Sequence, residues 1–308
     1  MNLNLEIKPN FFQDEERCGF KISSDMKKVW AVELDLLSEF QRICKKHGLV
    51  YYADGGTMLG AVRHNGFIPW DDDIDLMMMR DQYEELIAIA PHEFKYPYFF
   101  QTEYTDPSSL RGHAQLRNSQ TTGILRSETK GIHSFNQGIF IDIFPLDAVP
   151  DNEELFEEKI KKREYYLQKA RQLANFTDRF TPTPKNKPIR AITKKLVHNV
   201  CAGPLRRFIN YRKYYDAYEN ECKKYNDQYT KKVAKYFCIP FNRGQIWFRE
   251  DFSNTIDMPF EMLELPVPVG YKRIMDIFFG EDWEIPKMVP TYHSGVFFDT
   301  ERSYIDYL

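Results

Sequence analysis

The chain has 308 residues, 43% of them hydrophobic and 15% aromatic, and a formal net charge of −3 at pH 7. This length and apolar content fit one large domain, or one domain with a sizeable insertion, around a full core. No apolar run is long enough to span a bilayer, so no membrane-spanning helix is predicted. The first residues lack the basic start and apolar stretch of a signal peptide. The five cysteines are scattered, without a Cys-x-x-Cys spacing, which favours reduced thiols in the cytosol over a zinc cluster.

Positive charge is concentrated in one stretch of the chain. Between Lys159 and Lys213 there are sixteen Lys or Arg residues against only two acids, Glu164 and Asp178. The rest of the chain is therefore acidic. This distribution predicts an acidic core that carries a site, together with a basic appendage.

The first predicted elements alternate between helix and strand. Over residues 25–47 apolar side chains recur every three or four positions, which predicts a helix, and Gly48 is placed to end it. Residues 49–53 form the first predicted strand and residues 57–64 a short helix. A second strand follows over residues 73–79. This order predicts a mixed α/β sheet with a site at its edge or end.

A glycine turn, Gly55-Gly56-Thr57, joins the first strand to the short helix. Glycines let backbone N–H groups approach an anion closely, and the start of the following helix favours negative charge. Thr57 is a candidate N-cap that can also lend its hydroxyl to a phosphate. A plain loop is the alternative interpretation of such a turn taken alone.

Four acids lie within five residues, at Asp71, Asp72, Asp73 and Asp75, and lead into the second strand. Like charges held this closely raise one another's pKa and destabilise a fold, so their density calls for a reason. Alternate side chains of a strand face the same way, which would place Asp73 and Asp75 on one face. Such a pair can hold Mg²⁺ or Mn²⁺. The alternative is a solvated acidic turn.

The run Gly-Gly-Thr-Met-Leu-Gly-Ala-Val-Arg-His-Asn-Gly-Phe-Ile-Pro-Trp-Asp-Asp-Asp-Ile-Asp, over residues 55–75, closely resembles the signature of the LicD family. Fukutin-related proteins are cousins of that family. The resemblance implies a nucleotidyltransferase-like fold. It also implies transfer of a phospho-substituent, phosphocholine in the best-known members, from a CDP-linked donor to a sugar of a surface glycan.

Two further residues of this run are candidates for contact with the donor. Arg63 lies on the helix after the glycine turn, from which it can reach the phosphates. Trp70 can stack on the base or on a choline group through a cation–π contact. A purely structural tryptophan in the Pro-Trp turn is the alternative for Trp70.

After a predicted helix over residues 81–90, strands are predicted at 96–101 and 113–118. In the second of these strands Gln115 and Arg117 share one face. The Leu-Arg-Asn run before Thr121-Thr122 resembles the LicD family, and this implies that the shared face lines the donor site. An ordinary solvated strand face is the alternative.

Residues 138–145 form an apolar strand that contains one carboxylate, Asp142, between Ile141 and Ile143. An acid in such surroundings is costly unless it is paired with a cation. If this strand neighbours the strand of Asp75, the two acids meet, and the resulting three-acid set matches the fold that the resemblance implies. An Asp at the wet end of a strand is the alternative. Pro145 is expected to stop the strand, and Asp147 is expected in a loop or at a helix cap.

The chain is predicted to divide into a catalytic core (1–150), a helical insertion (151–245) and a C-terminal segment that completes the catalytic domain (246–308). Within the insertion, the basic amphipathic stretch 188–213 can lie on an anionic membrane or grip a glycan. Packing on its own core is the alternative. No RNA-binding signature accompanies it, so no nucleic-acid partner is expected. In the C-terminal segment a short helix is predicted at 270–280, and His293 is expected to be structural.

The sequence thus predicts an α/β enzyme with a nucleotidyltransferase-like core and a helical basic insertion. Mg²⁺ or Mn²⁺ on Asp73, Asp75 and Asp142 would bind CDP-choline or another CDP-alcohol, with Asp142 or a neighbouring acid taking the acceptor proton. The acceptor would be a sugar hydroxyl of a lipopolysaccharide, teichoic acid or capsule. The expected location is cytoplasmic, with peripheral contact on the inner face of the membrane. Two alternatives remain: a nucleotidyltransferase that moves NMP from an NTP, and a non-catalytic glycan- or membrane-binding module.

Overall fold

The computed structural model of the chain describes residues 3–129, 133–177, 196, 210–288 and 295–307. The helices within these ranges are α1 (Ser24–His47), α2 (Gly55–His64), α3 (Arg80–Glu93), α4 (Glu153–Thr177), α5 (Arg212–Lys223) and α6 (Tyr271–Phe279). The strands are β1 (Glu15–Arg17), β2 (Phe20–Ile22), β3 (Tyr52–Ala53), β4 (Asp75–Met79), β5 (Tyr98–Gln101), β6 (Ala114–Asn118), β7 (Thr122–Leu125), β8 (Ile139–Val149), β9 (Lys232–Ala234), β10 (Ile246–Phe248), β11 (Thr255–Phe260), β12 (Leu263–Pro268) and β13 (Val296–Asp299).

A seven-stranded mixed sheet forms the centre of the molecule. Its strands run in the order β10-β9-β8-β4-β3, and β6 pairs with both β8 and β5. Strands β4 and β8 are parallel, whereas the other pairs are antiparallel. Two-stranded sheets β1-β2, β11-β12 and β13-β7 surround it. The predicted mixed α/β fold class is confirmed.

Helix α1 shows how the sequence builds the core beside this sheet. Ser23 caps its start, accepting a hydrogen bond from Met26 N at 3.2 Å, and Gly48 ends it at φ +68°. One side of the helix carries fully buried apolar residues, among them Trp30 and Leu37, and the helix contacts β6 and β8. The predicted helix and its glycine end are confirmed.

Strand β8 is eleven residues long and buried throughout. It passes through Pro145, so the prediction that Pro145 stops the strand is wrong. β6 pairs with β8 only up to Ile143, and β9 pairs from Asp147 onward. Pro145 falls between these two partners, where its missing N–H removes no bond to either of them.

Asp147 also differs from its prediction, because it lies inside β8 and is fully buried rather than in a loop or at a helix cap. Its carboxylate accepts hydrogen bonds from Arg80 Nε at 2.8 Å and Arg80 Nη2 at 2.5 Å, and from Asn226 Nδ2 at 2.5 Å. A buried carboxylate is tolerated when it is paired and hydrogen-bonded in this way.

Helices α4 and α5 pack on each other around a second apolar cluster, which includes Phe156, Leu167 and Tyr218. The predicted helical range 151–245 also supplies β9 to the central sheet, so this range is not helical alone. The division of the chain into three units stays a prediction. Most of the basic stretch 188–213, and His293, lie outside the described residues. Among the described helices, none combines the length and apolar character needed to cross a membrane.

Candidate active site

Three polar side chains form a row across the centre of the sheet. Asp75, at the start of β4, is the direct neighbour of Asp142 on β8, and Gln115 on β6 lies opposite Asp142 on the other side. Directly opposed residues of neighbouring strands point to the same face. The structure thus brings Asp75 and Asp142 together, which the sequence made conditional on their two strands being neighbours.

Asp73 lies just before β4, which begins only at Asp75. The strand-alternation argument for a shared face therefore does not hold for Asp73. Asp71, Asp72 and Asp73 instead form a loop in which each offers a carboxylate oxygen within 4.8 Å of the others. Trp30 Nε1 donates to the carbonyl oxygen of Asp71 at 3.0 Å and anchors the loop to α1.

The acids in this part of the molecule outnumber the positively charged side chains that act on them. Burial, followed by the charges of Asp73, Asp142 and Asp54, raises the pKa of Asp75 well above its usual range. Glu33 on α1 is fully buried beside Asp75 and the loop 71–73, and burial again raises its pKa most. Within the part of the chain that the structure describes, its Oε2 has no hydrogen-bond partner. A buried carboxylate oxygen of this kind, beside other carboxylates, fits a divalent cation with oxygen ligands.

Two side chains hold Asp142, one on β6 and one on the residue just before β6. Its Oδ1 lies 3.2 Å from His113 Nε2 and accepts from Gln115 Nε2 at 2.5 Å. Burial alone would raise the pKa of Asp142, but the charge and hydrogen bond of His113, with the bond from Gln115, lower it overall. Asp142 is therefore held in place and kept ionised.

Arg117 lies behind this row and is fully buried. It donates to Gln115 Oε1, to Gln101 Oε1 at 2.7 Å and to the Gly138 carbonyl at 2.6 Å. Burial lowers the pKa of its guanidinium to about 9. Gln115 and Arg117 do share a face, but the structure places Arg117 where it orients Gln115 rather than where it lines an open site.

The glycine turn forms the first turn of α2, which begins at Gly55 with Asp54 as N-cap. The prediction that Thr57 is the N-cap is therefore wrong, because Asp54 occupies that position. Thr57 Oγ1 instead accepts from the backbone N–H of Asp75 at 2.8 Å. A Cβ at Gly55 would lie 3.6 Å from Asp75 Oδ2, and one at Gly56 would lie 2.5 Å from Asp71 Oδ2. The helix start and the acids are thus in direct contact.

Lys235, which the sequence reasoning missed, reaches this site from beyond β9. Its Nζ donates to Asp54 Oδ2, and the two side chains are 4% and 2% exposed. The Asp54 backbone N–H in turn donates to the Asp75 carbonyl at 3.0 Å. The available signal was a charge inside an apolar run, Val233-Ala234-Lys235-Tyr236-Phe237, the same signal that identified Asp142. His113 was also missed. It precedes Gln115 by two residues, so the two side chains point to the same face of the sheet.

The structure does not bring Arg63 to the acids. Arg63 lies at the opposite end of α2 from Gly55, about 12 Å along the helix axis. Its Nη1 donates to the carbonyl oxygens of Trp283, at 2.6 Å, and Ile285, at 3.4 Å. Its predicted contact with the donor phosphates finds no support in this placement. Trp70 packs edge-on against Phe20, with ring centroids 6.1 Å apart, and its contact with a base or choline stays a prediction.

Comparison with known proteins adds to this geometry. Residues 48–186 match a family model described as LicD/FKTN/FKRP, nucleotidyltransferase domain. Over 266 residues, 85% of this chain and 92% of the relative, the chain is 25% identical to the lipopolysaccharide cholinephosphotransferase LicD of Haemophilus influenzae. It is also 36% identical over 78 residues to an uncharacterized protein of Rickettsia prowazekii, covering 25% of this chain and 28% of that protein. The range matched by the family model contains Asp75, Gln115 and Asp142 but ends before Lys235.

Proposed function

The chain carries a LicD-family domain, and from this premise we propose that it transfers a phospho-alcohol from a CDP-linked donor to a sugar hydroxyl of a cell-surface glycan. Phosphocholine is the first candidate for the transferred group, because the Haemophilus influenzae relative is a lipopolysaccharide cholinephosphotransferase. The observation that carries the proposal is the side-by-side placement of Asp75 and Asp142 on parallel strands next to the start of α2. Lipopolysaccharide, teichoic acid and capsule remain the candidate acceptors.

The acids are the groups that would hold a divalent cation. Asp73, Asp75 and Asp142 offer carboxylate oxygens of the kind that Mg²⁺ or Mn²⁺ binds. When bound, the ion would neutralise charge on the pyrophosphate of the donor. Backbone N–H groups of the first turn of α2, at Gly55 and Gly56, have no partner within the helix and would bind donor phosphate oxygens.

The reaction is an in-line displacement at the phosphorus that carries the alcohol. The acceptor hydroxyl oxygen forms a new P–O bond, the bond from this phosphorus to the bridging pyrophosphate oxygen breaks, and CMP leaves with that oxygen. The hydroxyl proton goes to a carboxylate. Asp142 or a neighbouring acid of the loop 71–73 is the candidate acceptor of this proton.

We infer a cytoplasmic location from the CDP-linked donor of the proposed reaction, with the acceptor glycan near a membrane. Contact of the basic stretch 188–213 with the inner face of that membrane remains part of the proposal. The wider range from Lys159 to Lys213, with sixteen basic residues against two acids, suits an anionic lipid surface.

The test is incubation of the protein with CDP-choline, CDP-ribitol and CDP-glycerol, each with Mg²⁺ and a glycan acceptor. The proposal expects CMP release with at least one donor and none with Asp75→Asn. A parallel set with labelled NTPs covers the alternative nucleotidyltransferase, which would place labelled nucleotide on the acceptor. Nucleotide transfer without CMP release would overturn the proposal. Absence of any binding of CDP-choline and Mg²⁺ in calorimetry would instead indicate a non-catalytic module.

A further inference from the structure

The ammonium of Lys235 has more hydrogen-bonding capacity than its surroundings use. A lysine ammonium carries three N–H donors. Among the residues that the structure describes, one acceptor is assigned to this ammonium, Asp54 Oδ2. The side chain is nevertheless 4% exposed, so water does not readily supply the other two acceptors. A buried donor without an acceptor is costly.

Aromatic rings surround much of the Lys235 ammonium. Its Nζ lies 4.7 Å from the ring centroid of Phe144, 5.5 Å from that of Trp247 and between 5.8 and 5.9 Å from those of Phe237 and Phe278. These rings offer no strong acceptor. The acceptor that the structure does show, Asp54, belongs to the side where the acids lie.

That side is the proposed site. Phe144 lies two residues after Asp142 on β8 and so points to the same face of the sheet as Asp142. The positive charge of Lys235 also acts on the carboxylate of Asp75, against the larger influences of burial and the neighbouring acids. The ammonium and the acid row thus lie on the same face of the sheet.

A pairing with Asp54 alone is a weak explanation for this lysine. Taking both charges of an ion pair out of water costs about as much as their attraction returns, so such a pair adds little stability by itself. Asp54 is the N-cap residue of α2, but its side chain makes no capping hydrogen bond to that helix. Its carboxylate instead holds the lysine in position.

We propose that Lys235 binds the donor, its ammonium donating to a phosphoryl oxygen of the pyrophosphate while the acids hold the cation. This assignment rests on the proposed function. A compact ammonium suits a single phosphate oxygen, and a fixed donor at an oxygen that gains negative charge lowers the barrier of phosphoryl transfer. Carboxylates for the metal and a lysine for the phosphate oxygen are complementary parts of one site for a metal–diphosphate complex.

The experiment measures binding of inorganic pyrophosphate with Mg²⁺ by calorimetry. Because Lys235→Met alone leaves Asp54 buried without a partner, the principal variant is the pair Asp54→Asn with Lys235→Met, and Asp54→Asn alone is its reference. A matched control is Lys159→Met. Lys159 is equally buried, but its Nζ donates to the carbonyls of Ala148 and Cys222, both at 2.8 Å, away from the acids.

We expect the double variant to fold, shown by an unchanged circular-dichroism spectrum, and to bind pyrophosphate about tenfold or more weakly than the wild type. Lys159→Met should bind it as the wild type does, whereas Asp54→Asn, which removes the carboxylate that holds Lys235, should bind it more weakly than the wild type but more tightly than the double variant. Wild-type binding by the double variant, an equal loss in Asp54→Asn alone, or no pyrophosphate binding by the wild type would each overturn the assignment.

The same readout separates this assignment from the proposed function. Pyrophosphate binding requires no knowledge of the transferred alcohol. If the wild type binds pyrophosphate through Lys235 but releases CMP from none of the CDP-alcohols, the role of Lys235 stands and the CDP-alcohol activity fails. If CMP is released and the double variant still binds pyrophosphate normally, the activity stands and the role of Lys235 fails.

Discussion

Asp75 lies among three other carboxylates, those of Asp54, Asp73 and Asp142, and burial adds to the effect of their charge on its pKa. In the metal-free protein the ionised form of Asp75 is therefore disfavoured relative to the unfolded chain. A group in this position opposes folding at neutral pH while it serves the site.

Asp75→Asn should abolish CMP release and at the same time raise the stability of the metal-free protein, by about 1 kcal/mol at pH 7. The asparagine removes the repulsion but cannot serve as an anionic ligand. Thermal unfolding without metal, beside the CMP assay, measures both effects. Asp257→Asn, at an exposed position of β11, is the control and should change neither. A metal-free variant less stable than the wild type would contradict this account.

His113 acts on the site through Asp142. Replacing it by Asn removes the positive charge that lowers the pKa of Asp142, so that pKa should rise. The acidic limb of the pH profile of kcat/KM should then move to higher pH, since Asp142 becomes protonated earlier as the pH falls. Activity at the optimum should fall about 10–100-fold, as for other residues that orient a metal ligand.

The pH profile is the decisive measurement for His113, because a loss of activity alone would also follow from local misfolding. Replacing His113 should also weaken Mg²⁺ binding in a calorimetric titration. An acidic limb at the wild-type position, with reduced activity, would show that His113 does not control Asp142.

At the scale of elements, α2 and the loop that follows it are placed by a contact between backbones. A Cβ at Gly60 would lie 2.4 Å from the Gly66 carbonyl oxygen, and Gly66 N donates to Gly60 O at 3.3 Å. This close approach fixes the direction in which the chain continues from Gly66 toward Asp71. The position of the loop of acids therefore depends on the absence of a side chain at Gly60.

Gly60→Ala should therefore lower the free energy of unfolding by about 1–3 kcal/mol, because backbone must move to admit the methyl group. Gly56→Ala meets only the carboxylate tip of Asp71, and a helical alanine is favoured over glycine by about 1 kcal/mol. It should keep its stability while cation binding weakens. Urea denaturation and Mg²⁺ titration of both variants test this contrast, which fails if both lose stability equally.

Elements with local signals were predicted correctly from the sequence. Gly48 ends α1 directly after the apolar pattern that it delimits, and an acid inside an apolar strand marked Asp142. Local chemistry of this kind is contained in a short window of sequence. The expectation that the strands of Asp75 and Asp142 lie side by side came from the family resemblance.

Features that depend on distant partners were not predicted. Pro145 was expected to stop a strand, since nothing local shows that β6 and β9, which come from far apart in the chain, leave a gap between them at this position of β8. Asp147 was expected in a loop because its partner, Arg80, is 67 residues away. Thr57 was expected to cap α2, although Asp54 is also of a residue type preferred at N-caps. Lys235 was missed although a charge inside an apolar run marks it, because its partner, Asp54, is 181 residues away.

At the scale of the whole molecule, the crowded acids make stability depend on pH and on divalent cations. Burial, with Asp73 and Asp72, raises the pKa of Asp71 to about 8, and burial raises those of Glu33 and Asp75 also. The folded protein holds these protons more tightly than the unfolded chain does. Without metal, stability should therefore fall as the pH rises from about 4 toward 8.

Mg²⁺ should reverse this loss, and its stabilising effect should be larger at pH 8 than at pH 5.5, where protons already neutralise part of the charge. Thermal unfolding at both pH values, with and without Mg²⁺, measures the difference. The Asp75→Asn variant should show a smaller increment at pH 8. An increment independent of pH would mean that these acids do not form the cation site.

Arg63 connects the core to the C-terminal segment through the carbonyls of Trp283 and Ile285. Arg63→Gln should lower the free energy of unfolding by about 1–2 kcal/mol and leave the affinity for Mg²⁺–pyrophosphate unchanged. Urea denaturation and calorimetry test the two statements separately. A loss of pyrophosphate affinity with unchanged stability would restore the donor-binding role predicted from the sequence.

Lys235 and Asp54 are separated by 181 positions in the chain, and this spacing has a consequence during synthesis on the ribosome. Asp142 leaves the exit tunnel roughly ninety residues before Lys235, an interval of about 5–20 s at ordinary translation speeds. The acids of the site have therefore all been synthesised well before Lys235, whose positive charge lies beside them. The site can then be completed only after β9 and Lys235 have emerged, so its completion is one of the last steps of folding during synthesis.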